Sequence, residues 1–213
     1  MGRRALRKID PAIDLSRHLV RFDQLPAPWD AAALFGRRAA LEVEVGSGKG
    51  LFLRSVAAER PETDLLGIEV AEKYARFAAA GLKKRELNNA IVVWGDALRV
   101  FAERLPDECA AAVHIYFPDP WWKKRHRKRR VMRESFLRDV ERVLAAGGRL
   151  HFWTDVEEYF RETLELIARA TRLEGPLEVA ERPAEHDLDY RTHFERRMRQ
   201  HGLPVFRSEF RKP

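Results

Sequence analysis

With 213 residues and 45% hydrophobic side chains, the chain is long enough to bury one sizeable core and too apolar for wholesale disorder. Forty Lys and Arg against 33 Asp and Glu leave a net charge of +7, which favours an anionic partner, either nucleic acid or a membrane surface. A single cysteine, Cys109, excludes an internal disulfide and a multi-cysteine metal site, and fits a reducing cytoplasm.

Residues 1–40 begin with a basic run, place Pro26 and Pro28 in a loop, and show weak periodicity. They read as a basic N-terminal extension that orders on substrate, ahead of one domain over 41–213. The first residues lack the apolar segment of a signal peptide, and no stretch approaches the ~20 apolar residues of a membrane span. A soluble, cytoplasmic protein is expected. From Leu41 the pattern becomes regular. Strand-like runs fall at 41–45, 64–70, 90–94, 111–117 and 149–154. Helical stretches alternate with them at 51–60, 72–87, 98–104, 133–145 and 156–171. The tail suggests two further strands, near Leu177–Arg182 and Val205–Arg211. Alternation of this kind predicts an α/β fold: a doubly wound, mostly parallel sheet with helices on both faces. Ligands of such sheets bind beyond the carboxyl ends of the strands, which draws attention to the acids there: Glu44, Glu69, Asp96, Asp119 and Asp155.

The first regular strand runs into Glu44-Val45-Gly46-Ser47-Gly48-Lys49-Gly50. This is no Walker A loop, because Gly50 stands where Ser or Thr belongs and Val43 where the first glycine belongs. A dinucleotide fold is a closer competitor, since Glu69 ends the second strand at the distance expected of a ribose-binding acid. The spacing, however, is E-x-G-x-G-x-G rather than G-x-G-x-x-G. An acid ahead of the loop suits a ligand with an ammonium group better than one with phosphates. S-adenosylmethionine has an ammonium, a ribose diol and an adenine amine, for which Glu44, Glu69 and Asp96 are the candidate partners.

The most informative stretch is residues 113–130, VHIYFPDPWWKKRHRKRR. Asp119 sits at a strand end between two prolines, which stiffen the backbone that carries it. Trp121 and Trp122 follow, able to stack on a base or to pack the junction. Lys123 to Arg130 then place seven cations in eight positions, interrupted only by His126. A tract so dense is expected to bind phosphates, which carry affinity but little sequence information. The seven histidines show no zinc-like spacing, and no metal site is expected. His114 and His151 fall inside strands and read as satisfied core residues.

LEVEVGSGKG, GIEV, the YFPDPWWKKRHRKRR block, FWTDVEEY and THFERRMRQHG stand in the order seen in bacterial tRNA (guanine-N7-)-methyltransferases, the TrmB family. The chain resembles that family over about residues 40–202. The glycine loop would suit any class I methyltransferase, whereas the P-D-P-W block and the closing T-x-F-E are more specific. The resemblance implies a Rossmann-like class I fold, S-adenosyl-L-methionine as cofactor, and tRNA as partner. It implies 7-methylguanosine as product, formed at guanosine 46 of the variable loop. Carried over by position, the cofactor site falls on Glu44, Gly46, Gly48, Gly50, Glu69, Asp96, Ala97 and Asp119, with Asp119 also the catalytic candidate. Substrate contacts fall on Lys123, Asp155, Thr192, His193, Phe194 and Glu195. The RNA-interaction region falls on Arg125, His126, Arg127, Lys128, Arg129 and Arg130. Trp122 departs from the family pattern, which leaves its role open. Competing readings are a class I methyltransferase acting on another RNA base or a protein, a non-catalytic RNA-binding protein, and a nicotinamide-dependent oxidoreductase.

Overall fold

Short β-branched and apolar runs alternate with amphipathic helical segments, and each can bury its apolar side only against the other. In the computed structural model, which describes residues 6, 8–180 and 190–213, they do so on one sheet. The strands are β1 (Leu19–Arg21), β2 (Leu41–Val45), β3 (Asp64–Glu69), β4 (Ala90–Trp94), β5 (Ala110–Tyr116), β6 (Leu144–Thr154), β7 (Glu174–Leu177) and β8 (Phe206–Arg211). The α-helices are α1 (Ala31–Phe35), α2 (Leu51–Glu59), α3 (Glu72–Lys83), α4 (Ala97–Glu103), α5 (Glu134–Val143), α6 (Glu157–Ala170) and α7 (His193–Gln200).

The sheet order is β1-β4-β3-β2-β5-β6-β8-β7. Pairing is parallel from β1 through β6, and β8 then runs antiparallel to both β6 and β7. Two apolar layers cover the two faces. One joins α2 and α3 to the sheet through Phe52, Leu53, Ala78, Leu82, Leu65 and Val92. The other joins α4, α5 and α6 through Phe101, Phe136, Val140, Ile167, Val113 and Phe152. The doubly wound, mostly parallel sheet expected of the sequence is the observed fold.

Three differences are informative. The segment before Leu41 contributes to the domain: β1 pairs with β4, and Leu15, Leu25 and Phe35 are buried. A strand of three residues leaves no readable period, so its identity comes from its neighbour. The first tail strand is Glu174–Leu177 rather than a run starting at Leu177, and residues 181 and 182 lie outside the described residues. Gly147 and Gly148, which fall between the helical stretch 133–145 and the strand-like run 149–154, lie within β6, where Gly147 donates to Lys212 O.

His114 and His151 are core residues with partners, as their position in strands suggests. His114 pairs through Nε2 with Glu42 at 2.9 Å and through Nδ1 with the Tyr116 hydroxyl at 2.9 Å, and stacks on His151 at 4.5 Å. Burial lowers His114 to about 4, so it is neutral near pH 7. Burial raises the Cys109 thiol to about 11, which keeps it protonated and unreactive.

Candidate active site and cationic loop

Strand β2 has β3 on one side and β5 on the other, so the chain reverses its winding direction between β2 and β5. Loops leaving the carboxyl ends of these two strands diverge and open a crevice there. The β2 loop is the glycine loop, and the β5 loop is Phe117–Trp121. Topology thus brings together the two motifs that carry the sequence signal.

The glycine loop turns tightly because Gly46, Gly48 and Gly50 all have positive φ, between 52° and 77°. Gly46 and Ser47 both donate to Ile68 O, which pins the loop to β3. At Gly50 a side chain would also collide with Ala78 on α3, 2.7 Å away, so the left-handed start of α2 and its close packing both require glycine. A Cβ on Gly46 would meet nothing within 4 Å, which marks an open cradle above that residue.

Glu44 is the penultimate residue of β2, just ahead of this cradle. It is buried, its Oε2 has no hydrogen-bond partner, and the Ser47 hydroxyl within the loop is also unpartnered. Burial raises Glu44 to about 8, helped by the nearby negative charge of Glu69. Leaving a buried carboxyl oxygen unpaired is costly, and a ligand cation would relieve that cost. Glu69 ends β3 and accepts from Gly48 N–H and from Ala71 N–H, each at 2.8 Å. It therefore ties the second strand end to the glycine loop. Asp96 caps α4 by accepting from Leu98 N–H at 2.9 Å, with Ala97 the first residue of that helix. Candidate partners for an ammonium, a ribose diol and an adenine amine thus stand at three adjacent strand ends, a donor set that fits S-adenosylmethionine.

Asp119 is exposed at the end of β5. Its loop is bracketed by two non-glycine residues in the left-handed region, Phe117 at φ 51° and Trp121 at φ 43°. Such residues cost of order 1–3 kcal/mol each and persist where the surroundings over-determine them. Three restraints are visible. Phe117 N–H donates to Trp153 O at 2.8 Å, the Phe117 ring packs 5.0 Å from Phe194, and the Pro120 carbonyl accepts from Arg130 Nε at 2.7 Å. Asp155 follows the end of β6, the next strand along, and is half-buried.

The T-x-F-E segment begins α7. Thr192 is its N-cap, accepting from Glu195 N–H at 3.0 Å, while Glu195 accepts from Arg191 N–H at 2.6 Å. Glu195 is buried and faces Arg199 at 3.3 Å and Arg207 at 3.5 Å. Phe194 touches the Asp119 loop, and His193 is half-buried at the helix start. The motif thus has a visible structural task, which is to start α7 and press it against Phe117. Thr192→Ala is expected to lower stability by about 1 kcal/mol, the usual loss for an N-cap, and Thr192→Ser to restore it. Thermal melting of both variants checks this.

The cationic tract folds as a 3₁₀ segment over Lys124–Arg129. Its residues divide into different environments. Lys123, Arg125, Lys128 and Arg129 are exposed, and Trp122 is 62% exposed beside them. Trp121 is half-buried, with Arg129 over its ring at 5.1 Å and His126 edge-on at 5.8 Å. Arg127 bridges Glu158 and Glu162 on α6. Arg130 turns inward, with only 11% of its side chain exposed, pairing with Glu162 and lying 4.5 Å over the Tyr159 ring. A run of like residues gives no sequence clue to this division, because the partners lie some 30 residues further on.

No group of acids, histidines and cysteines among the described residues is arranged to hold a metal ion. No helix among them is long and apolar enough to cross a membrane.

Comparison with known proteins places this geometry in a lineage. A protein-family model described as "Putative methyltransferase" matches residues 38–208. The chain is 52% identical to a tRNA (guanine-N(7)-)-methyltransferase of Rhodopirellula baltica, over all of this chain and 80% of that protein. It is 38% identical to one of Alkalilimnicola ehrlichii, over 98% of this chain and 86% of that protein. Among solved structures, the antibiotic-resistance methyltransferase Kmr aligns with a TM-score of 0.57 at 17% identity, covering 86% of this chain and 91% of that one. A 30S ribosomal A1408 methyltransferase from an uncultured bacterium aligns with a TM-score of 0.55 at 16% identity, covering 85% and 92%. At such identities the structural likeness speaks for the fold alone.

Proposed function

Because the chain belongs to the tRNA (guanine-N7-)-methyltransferase family, we propose that it methylates N7 of guanine in tRNA, at guanosine 46 of the variable loop. The observation that carries the proposal is the junction at the β2/β5 crevice. There the buried Glu44 carboxyl, its Oε2 unpartnered, leads into an open glycine cradle, and the neighbouring loop carries Asp119 at the root of an exposed cationic segment.

In this reading Glu44 holds the cofactor ammonium, Glu69 the ribose hydroxyls, and Asp96 with Ala97 the adenine. Gly46, Gly48 and Gly50 let the backbone approach. S-adenosylmethionine, when bound, supplies an electrophilic methyl group on a sulfonium. Guanine N7 carries a lone pair and no proton, so no residue of this chain has to act as a base. The protein's tasks are alignment and charge. Alignment of reactants contributes up to ~7–11 kcal/mol in favourable systems. The Asp119 carboxylate accepts from guanine N1–H and N2–H and offsets positive charge developing on the purine. Asp155, at the next strand end, and Lys123 flank the base. His193 and Phe194 approach from α7, whose start is secured by Thr192 and Glu195. Arg125, His126, Lys128 and Arg129 follow the tRNA backbone together with Arg127, once phosphate displaces the α6 acids from it. Trp122 offers an exposed stacking face of the kind worth ~1–3 kcal/mol per base.

The test is direct. Protein, unmodified tRNA and methyl-labelled cofactor are incubated, and the labelled nucleoside is identified and mapped. Label in 7-methylguanosine at position 46 is the expected result. Cofactor consumption with label in another base, or in protein, would move the chain to another acceptor.

A further inference from the structure

Arg130 closes the cationic tract in sequence but behaves unlike its exposed members. We infer that it is a positioning residue for methyl transfer rather than a phosphate contact: it braces the Asp119 loop from behind. The inference rests on the reading above and deepens it.

The Arg130 side chain is 11% exposed, against 43% for Arg127 three residues earlier. Two nitrogens of its guanidinium are committed, and so is one face. Nε donates to the Pro120 carbonyl at 2.7 Å, and Nη1 pairs with Glu162 Oε2 at 2.5 Å. Its flat face rests on the Tyr159 ring at 4.5 Å. A guanidinium can bond a carbonyl, pair with a carboxylate and stack at once, whereas an ammonium is a point charge without a fixed fork.

Pro120 directly follows Asp119, so the bond to its carbonyl limits how far the Asp119 backbone can swing. The brace acts on the C-terminal side of the loop, where Trp121 holds a left-handed backbone, while Phe117 is held separately through β6 and α7. Arg130 N–H also donates to Arg127 O at 3.0 Å, closing the end of the 3₁₀ segment. One residue therefore joins the RNA-facing segment, the candidate catalytic loop and helix α6. The geometry of the reacting groups is sensitive to displacements of about 1 Å, which cost on the order of 10²-fold in rate.

Arg130→Gln, Arg130→Lys and Glu162→Gln are compared with wild type by single-turnover 7-methylguanosine formation at saturating tRNA and cofactor. Equilibrium tRNA binding is measured across a salt series. Melting curves and cofactor calorimetry report on folding. Both Arg130 variants are expected to lose about 10–100-fold in transfer rate, with tRNA Kd within about twofold of wild type and an unchanged salt slope, since no phosphate contact is removed. Glu162→Gln, which leaves the Pro120 bond in place and perturbs folding less, is expected to lose less, about 3–10-fold in rate. A wild-type rate in Arg130→Gln, with weaker tRNA binding and a salt slope shallower by ~0.7–0.9, would overturn the inference and return Arg130 to the phosphate contacts. A wild-type rate in Glu162→Gln combined with full rescue by Arg130→Lys would also overturn it, because charge alone would then suffice. Absence of 7-methylguanosine from the wild-type reaction defeats the underlying reading instead.

Discussion

Asp119→Asn is expected to lower methyl transfer about 10²–10³-fold at saturating substrates, the range seen when one preorganised electrostatic contact to a transition state is removed. The change keeps the side chain's shape, so the Pro118–Pro120 loop has no reason to move. Its tRNA affinity should stay within about threefold of wild type, because the proposed phosphate contacts are the exposed cations further along the loop. Single-turnover rates and equilibrium binding on one enzyme preparation check both points, and a rate within threefold of wild type would remove Asp119 from the site.

Glu44 supports the second large effect. Its carboxyl is raised to about 8 in the folded protein, against an ordinary value of 4.5. The sign follows from proton counts. Between these values the unfolded chain has released the proton and the folded one keeps it, so this group lowers stability as pH rises from about 4.5 to 8. A ligand ammonium reverses the preference by favouring the carboxylate. Cofactor binding at pH 7 should therefore release a proton, and affinity should rise nearly tenfold per pH unit up to about 8. Glu44→Gln should melt no lower than wild type at pH 8, yet lose at least ~30-fold in cofactor affinity, as expected when one partner of a buried charged contact is removed. It should also flatten the pH dependence. Calorimetry in buffers of different ionisation enthalpy reads the proton directly, and an equal proton count for wild type and Glu44→Gln would exclude Glu44 as its source.

Much of the fold was legible because β2 to β6 are strongly apolar runs set between amphipathic helices, and each ends beside an acid or a glycine. Those ends specify the crevice, since parallel strands place their carboxyl termini on one edge. What escaped the sequence depends on partners far away in the chain. Strand β1 has three residues and exists through β4, more than 70 positions later. Helix α7, His-Phe-Glu-Arg-Arg-Met-Arg-Gln, is too polar to show a stripe, and Thr192 with Glu195 was read as a substrate motif although the same spacing is a helix-start signal. In the cationic tract, composition marked the segment but not its division. Arg130 differs from Arg129 because Glu162 and Pro120 lie within reach, and both of those facts belong to tertiary structure.

The position of β8 between β6 and β7 also has a consequence for biosynthesis. Strand β6 is finished at Thr154, but its outer neighbour begins only at Phe206. At ~5–20 residues per second the ribosome takes about 3–10 s to make that interval. Throughout it, the hydrogen-bonding edge of β6 is open to pair with another nascent chain. The vulnerable period thus falls between the synthesis of β6 and that of β8, when the apolar strands β2 to β6 have already been made.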